Sequence, residues 1–265
     1  MININQLTNR LSDVEKVTRR SFVRTARGLA RKMGIGLLRQ QELDRLIAYE
    51  EGAKNAPDML ALLVRDELAR RGACRFVQVG ANDGQRDDSL REHIQAYRLP
   101  GLMIEPNPAP FARLVEAYRD RPDIRPINAA VGPGGRMTTL FAFDRPEEKG
   151  IRLDLLSSLD RSILEQVKRN DQLSADIVAI EVPQRPLMEL VVEHGFTDAA
   201  LLLVDTEGFD YEVLKLVDVD IFSPRIIQLE HIYLDGAART GAVRWFAERG
   251  YRTVFSGSEL FGLRV

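Results

Sequence analysis

The hydrophobic positions of the chain change rhythm near Gly72. Before it, Leu7, Leu11, Val14 and Thr18, then Leu43, Leu46 and Ile47, then Leu60, Leu63 and Val64 recur at helical spacing, which predicts an α-helical extension over residues 1–72. After it, short apolar runs alternate with amphipathic stretches, the pattern of repeated strand and helix units that build a mostly parallel sheet. Strands are expected at 75–80, 101–105, 125–131, 200–205, 225–230, 251–255 and 261–265, with helices between most of them. The last two are separated only by Ser256 to Leu260, too short for a crossover helix, so they should be antiparallel neighbours. Residues 73–265 therefore read as one doubly wound α/β domain of seven strands, the last one reversed.

The alternation is interrupted between about 134 and 186. There MTTLFAF alternates like a strand, SSLDRSILEQVKRN reads as a helix and DIVAIEVP as another strand. An insertion at this place would lie over the carboxyl ends of the strands, where such sheets select their substrates.

Composition narrows the class. With 265 residues, 45% of them hydrophobic, the chain can bury one sizeable core with helical material to spare. A net charge of -2 gives no global attraction for nucleic acid, and no nucleic-acid partner is expected. Between Arg10 and Arg39 the extension is locally basic, carrying Lys16, Arg19, Arg20, Arg24, Arg27, Arg31 and Lys32 against Asp13 and Glu15. A solvated helix face or partner-binding arm explains this run; a membrane-surface or nucleic-acid role is the alternative, with no aromatic interleaving beyond Phe22 to support it. Separately, a homo-oligomer remains open. Cys74 is the only cysteine, so there is no internal disulfide and no Cys-rich metal cluster. That usage, with neither a classical signal peptide in MININQLTNRLSDVEK nor an apolar run of membrane-spanning length, leads to the expectation of a cytoplasmic protein.

Four strand ends carry the candidate chemistry. In FVQVGANDGQ a buried strand runs into Gly80, Ala81, Asn82, Asp83 and Gly84, small or turn-forming residues that let a ligand approach the backbone. A tight strand-to-helix turn would use the same residues, and the spacing departs from G-x-G-x-x-G. The second strand ends in LMIEPNP, placing Glu105 and Pro106 about twenty residues beyond the glycine turn, where a carboxylate can accept the ribose hydroxyls of a nucleoside. In IRPINAAVG, Asn128, Ala129 and Ala130 could leave room for an adenine ring, although small residues there are also ordinary packing. LLLVDTEGFDYEVLKLV ends in an acidic cluster: Asp210 and Glu212 suit the positive end of the following helix, whereas Asp205 and Glu207 have no such duty. RIIQLEHIYL adds Glu230 and His231, and His231 is the side chain best tuned to take a proton near neutral pH.

FVQVGANDG, LMIEPNP, LLLVDTEGFDYEVL and IIQLEHIYL together resemble the FkbM family of S-adenosylmethionine-dependent methyltransferases, from about Arg75 to the C-terminus. The resemblance implies a Rossmann-like class I methyltransferase sheet, with the methionine part of the cofactor over Gly80 to Gly84, Glu105 at its ribose, and Asp205 to Gly208 bordering the reaction centre. It further implies methylation of a hydroxyl on a sugar, glycan or natural-product precursor, as in polysaccharide or cell-envelope biosynthesis. The chain departs from the commoner family pattern at Gln78, Leu203 and Asp210, which replace an acidic residue, a lysine and a glutamate. Gln78 can still meet the amino end of the cofactor through its amide.

The expected reaction is in-line attack of a substrate oxygen on the sulfonium methyl, governed chiefly by alignment in a closed pocket. His231 is the first candidate for the base, with Asp205 and Glu207 as alternatives or as orienters of the acceptor. A divalent cation at Asp205 and Glu207 could do the same work by lowering the hydroxyl pKa, though no residue is assigned as a metal ligand. Two other readings stand beside this one. A nicotinamide-dependent oxidoreductase is supported by Glu105 and the glycine turn but opposed by the glycine spacing and the reversed last strand. A non-catalytic nucleoside-binding or assembly module is kept open by Gln78.

Overall fold

The computed structural model describes residues 58–86, 88–135 and 137–264. The basic run between Arg10 and Arg39 lies outside the described residues. The chain divides into two compact units between Asp66 and Glu67, and of the first only residues 58–66 are described. Leu60, Leu63 and Val64 fall on helix α1 (Met59–Arg71), as their spacing predicts.

The second unit is built on a seven-stranded sheet. In chain order its members are β1 (Phe76–Val79), β2 (Gly101–Ile104), β3 (Ile124–Ile127), β10 (Leu201–Val204), β11 (Ile226–Glu230), β12 (Tyr251–Ser256) and β13 (Glu259–Arg264). They lie side by side in the order β12-β13-β11-β10-β1-β2-β3. The five strands from β3 to β11 pair in parallel, whereas β13 runs antiparallel to both β11 and β12. The reversed strand therefore sits one place in from the edge, joined to β12 by the short connection its sequence demands.

Strands β1, β2 and β10 are buried at every position, which is why they read as continuous apolar runs. One face packs Val77, Val79, Leu202, Val204, Ile227 and Leu229 against helices α5 (Leu187–Glu193), α6 (Asp210–Lys215) and α7 (Gly236–Glu248). On the opposite face, Gln78, Leu203 and Gln228 lie in one row across β1, β10 and β11. Two amides in a buried row are out of place in a purely structural sheet. They mark where the sheet meets a cavity.

Helix α2 (Arg91–Tyr97) follows β1, and α3 (Pro108–Ala117) follows β2. Asn107 caps α3 by accepting the Ala109 N–H at 3.2 Å. Glu105 is thereby left free of the capping role that its position before the helix would also allow.

One expected strand is in fact two. The run over 125–131 splits into β3, in the main sheet, and β4 (Ala130–Val131), which pairs in parallel with β9 (Ile177–Arg185). The break falls at Asn128, whose Nδ2 donates to the backbone carbonyls of Glu105 at 2.8 Å and Pro106 at 3.0 Å. With the side chain tied to β2, the backbone turns out of the sheet.

The insertion folds around β5 (Met137–Phe143), which pairs antiparallel with β9 over its whole length. Between them lie the short pair β6 (Glu147–Glu148) and β7 (Ile151–Arg152), strand β8 (Ser157–Ser158) and helix α4 (Arg161–Asn170). Leu153, Leu164, Leu173 and Ala175 form a small core of its own. No helix among the described residues is long and apolar enough to cross a membrane.

Candidate functional site

A cavity of about 810 Å³ opens at the carboxyl ends of β1, β10 and β11. That lies within the range of about 300–1,000 Å³ typical of small-molecule sites. Residues of the insertion, among them Ile151, Leu155, Leu156 and Ser158, form the wall facing the sheet. Among the predicted site residues, Gln78, Gly80, Ala81, Asn82, Glu105, Pro106, Ala129, Asp205 and Glu207 all line it.

Its floor is shaped by a backbone that bends sharply after β1. Gly80, Asn82 and Gly84 have φ of 82°, 47° and 62°, the left-handed region that glycine and asparagine enter most readily. At Gly80 glycine is obligatory for a second reason, since a Cβ would stand 1.6 Å from the Asp205 carbonyl oxygen. The ends of β1 and β10 thus touch through bare backbone.

Glu105 is 3% exposed and holds two segments together. One carboxylate oxygen accepts the Asn82 N–H at 2.8 Å and the other the Asn107 N–H at 2.7 Å. Burial pushes this carboxyl up to about 7, against the pull of those two hydrogen bonds. Each oxygen keeps a further lone pair for a ligand hydroxyl.

Three expected contact residues take supporting positions instead. Asp83 is buried, and its Oδ1 accepts the N–H groups of Gln85 at 2.9 Å and Arg86 at 3.0 Å, closing the turn. Gly84 packs under Leu114 and Tyr118, and the Tyr118 hydroxyl donates to its carbonyl at 3.1 Å. Asn128 ties β3 to β2 through its side-chain amide.

The acidic strand ends converge. Asp205, Glu207 and Glu230 each offer a carboxylate oxygen within 4.8 Å of the others. Asp205 is open to the cleft yet surrounded by protein, and burial, with Glu259 and Asp88 nearby, raises its carboxyl to about 7. Burial first, then Asp205 and Asp210, lifts Glu207 to about 8. Glu230, facing burial and the same acidic neighbours, rises to about 9. Glu207 Oε2 and Glu230 Oε2 are buried without a hydrogen-bond partner. The trio could hold a divalent cation through its oxygens or, without one, retain protons at neutral pH.

Glu207 sits at φ 51°, where a side chain of its size is uncommon, beside Gly208 at φ 95°. Ser158 of the insertion fixes this turn by donating its hydroxyl to the Glu207 carbonyl at 2.8 Å. Below it, Asp210 is fully buried at the start of α6 and accepts from the Thr206 hydroxyl at 3.0 Å and the Gly208 N–H at 3.3 Å. Asp210 thus braces the turn that precedes α6 through Thr206 and Gly208, and Glu212 pairs with Lys215 at 2.6 Å.

His231 is not brought to the cavity. It follows Glu230 at the end of β11, so the alternation of the strand sends the two side chains to opposite faces. Its Nε2 lies 3.2 Å from the Gly257 carbonyl oxygen and its ring packs edge-on to Phe255. A carbonyl only accepts, so that nitrogen carries the proton.

Several lining residues were not singled out by the sequence: Asp88, Gln228, Tyr233, Ser258 and Glu259. For Gln228 the signal was present, since it shares a face with Gln78 once the strands are aligned in register. Asp88 carries no such signal.

The Methyltransferase FkbM domain family matches residues 78–253. No curated protein matches the chain. Among solved structures, a methyltransferase FkbM from Methylobacillus flagellatus is 13% identical with a TM-score of 0.46, covering 72% of this chain and 43% of that one. Fibrillarin of Aeropyrum pernix, solved with natively bound S-adenosyl-L-methionine, is 11% identical with a TM-score of 0.37, over 72% of this chain and 66% of that one. A putative caffeoyl-CoA O-methyltransferase from Staphylococcus aureus is 10% identical with a TM-score of 0.39, over 99% and 100%.

Proposed function

The chain belongs to the FkbM methyltransferase family and is an S-adenosylmethionine-dependent enzyme, and from that premise we propose that it methylates a hydroxyl group of a neutral, polyhydroxylated acceptor such as a sugar or glycan. The observation that carries this reading is the trio Asp205, Glu207 and Glu230 at the cavity floor. Each carboxyl, ionised or protonated, presents acceptor oxygens, so a wall of them favours a ligand rich in O–H donors. Carboxylates also outnumber the cationic side chains Arg86 and Arg152 in the lining, which suits a positively charged cofactor and disfavours a phosphorylated acceptor.

The residues present fit the cofactor. Gly80, Ala81 and Asn82 form a cradle free of bulky side chains for its methionine part, and Glu105 offers lone pairs to the ribose hydroxyls. Ala129 leaves space beside Pro106 for the base. S-adenosylmethionine, when bound, supplies an electrophilic methyl group on a sulfonium.

Glu207 is the base in this reading. It has a raised pKa close to the working range, a buried oxygen without a partner, and a left-handed backbone held in place from two sides. Such a conformation is costly unless the surroundings enforce it, and it often accompanies function. Asp205 and Glu230 orient the acceptor by receiving neighbouring hydroxyls, and Glu207 takes the proton of the attacking one. The insertion, with Leu155 and Leu156 toward the cavity, excludes water from this step.

The test is transfer of a radiolabelled methyl group from S-adenosylmethionine to a panel of neutral glycosides, nucleotide sugars and amines. Label in alkali-stable methyl ethers of neutral glycosides is the expected result. Label confined to amines or to phosphorylated acceptors overturns the reading.

A further inference from the structure

Beyond Gly80 the cavity wall holds a second polar group of residues that family membership does not explain. Gln78, at the third position of β1, is 6% exposed, and its Nε2 donates to Asp88 Oδ1 at 3.3 Å. The same Asp88 oxygen accepts the Leu90 N–H at 2.9 Å, which fixes the carboxylate from both sides. The remaining acceptors, Asp88 Oδ2 and Gln78 Oε1, are buried and have no hydrogen-bond partner. Both residues line the cavity.

Two orphan acceptors on hydrogen-bonded residues are costly, about 1–3 kcal/mol each, unless a ligand brings donors to them. A ligand ammonium group has three N–H donors and a positive charge, which matches an unpartnered carboxylate oxygen and an unpartnered amide oxygen in one cavity lining. Arg86 also lines the cavity, which therefore offers both signs of charge to a zwitterion.

We propose that Asp88 supplies the carboxylate that receives the α-ammonium group of the S-adenosylmethionine methionine part, with Gln78 as the amide that positions it and adds a second acceptor. The carboxylate stands ten residues beyond Gln78 in the chain and one hydrogen bond away from its amide. Burial, which pushes the Asp88 carboxyl above the usual carboxylate range, is the cost that the incoming cation offsets. This assignment rests on the placement of the methionine part along Gly80 to Asn82.

The experiment is calorimetric titration with S-adenosylmethionine and with 5′-methylthioadenosine, which has the nucleoside but no amino-acid part. The proteins are wild type, Asp88→Asn, the double variant Gln78→Glu/Asp88→Asn, and Glu105→Gln. Asparagine keeps the Oδ1 acceptor for Leu90 and Gln78, so the turn stays folded, and matched thermal melts verify this. Asp88→Asn should weaken S-adenosylmethionine about tenfold to a hundredfold, the loss of one charge-assisted hydrogen bond. Methylthioadenosine should be unaffected, and the double variant should recover most of the loss. Equal weakening of both ligands by Asp88→Asn, or none of either, overturns the assignment while leaving the cofactor placement intact. If Glu105→Gln changes neither affinity, the placement itself fails and the assignment with it.

Discussion

The carboxylate of Glu105 accepts the backbone N–H of Asn82 at 2.8 Å, so the residue expected to read the cofactor ribose also clamps the turn expected to carry its methionine part. Binding and architecture share one side chain at this point. Glu105→Ala leaves the Asn82 and Asn107 N–H groups without their partner, a cost of about 1–3 kcal/mol for each buried group. The expected outcome is a lower melting temperature together with S-adenosylmethionine binding at least tenfold weaker. In Glu105→Gln, which keeps one acceptor oxygen, the melting temperature should recover more than the affinity. Thermal melts and calorimetry on the two variants separate the roles, and equal recovery of both quantities would show that Glu105 only clamps.

Gly80 is the second place where fold and site coincide. Its φ of 82° and the 1.6 Å that would separate an added methyl carbon from the Asp205 carbonyl oxygen leave no room for any side chain. Gly80→Ala should destabilise the protein by about 2–5 kcal/mol through backbone strain and overpacking. Denaturant unfolding measures this directly. A loss below about 1 kcal/mol would mean that β1 and β10 can separate without consequence.

Much of the sheet was legible because parallel strands buried on both faces must be apolar throughout, as Leu201 to Val204 are. The bend at Asn128 was not, because it depends on carbonyls more than twenty residues away in sequence. Two-residue strands such as Ser157–Ser158 are too short to leave a periodic trace. In the site, the turn after β1 was readable from residue types alone, whereas the meeting of Gln78 with Asp88 arises only when the chain folds back. His231 was drawn in by its chemistry, while the two-residue period of β11 already assigned the cavity face to Glu230.

The acidic floor also sets how stability should depend on pH. Carboxyl groups in an unfolded chain titrate near 4, whereas Glu105 and Asp205 rise to about 7, Glu207 and Asp210 to about 8 and Glu230 to about 9 when folded. Between about pH 4 and 9 the folded protein therefore binds more protons than the unfolded one, and stability falls as pH rises. The ligand-free melting temperature should be higher at pH 6 than at pH 9. Glu207→Gln/Glu230→Gln should flatten the slope, because amides of the same shape do not ionise. A melting temperature that climbs over this interval would contradict the raised pKa values.

The choice of base is decided by comparing Glu207 with His231. A general base contributes about a hundredfold to ten-thousandfold to proton removal, so Glu207→Gln should lower kcat by at least about a hundredfold with an acceptor found by the labelling panel. S-adenosylmethionine affinity should change little, since Glu207 faces the acceptor in this reading. His231→Ala removes a ring that packs on Phe255 outside the cavity, and should leave kcat within about threefold. The pH profile adds an independent readout. With Glu207 near 8, kcat/KM should increase up to about pH 8 and then level off, because only the ionised carboxylate can accept the proton. In Glu207→Gln that ascending limb should disappear. If the limb persists in Glu207→Gln and vanishes in His231→Ala, the proton leaves through the histidine, and β11 must rearrange in the substrate complex to bring it there.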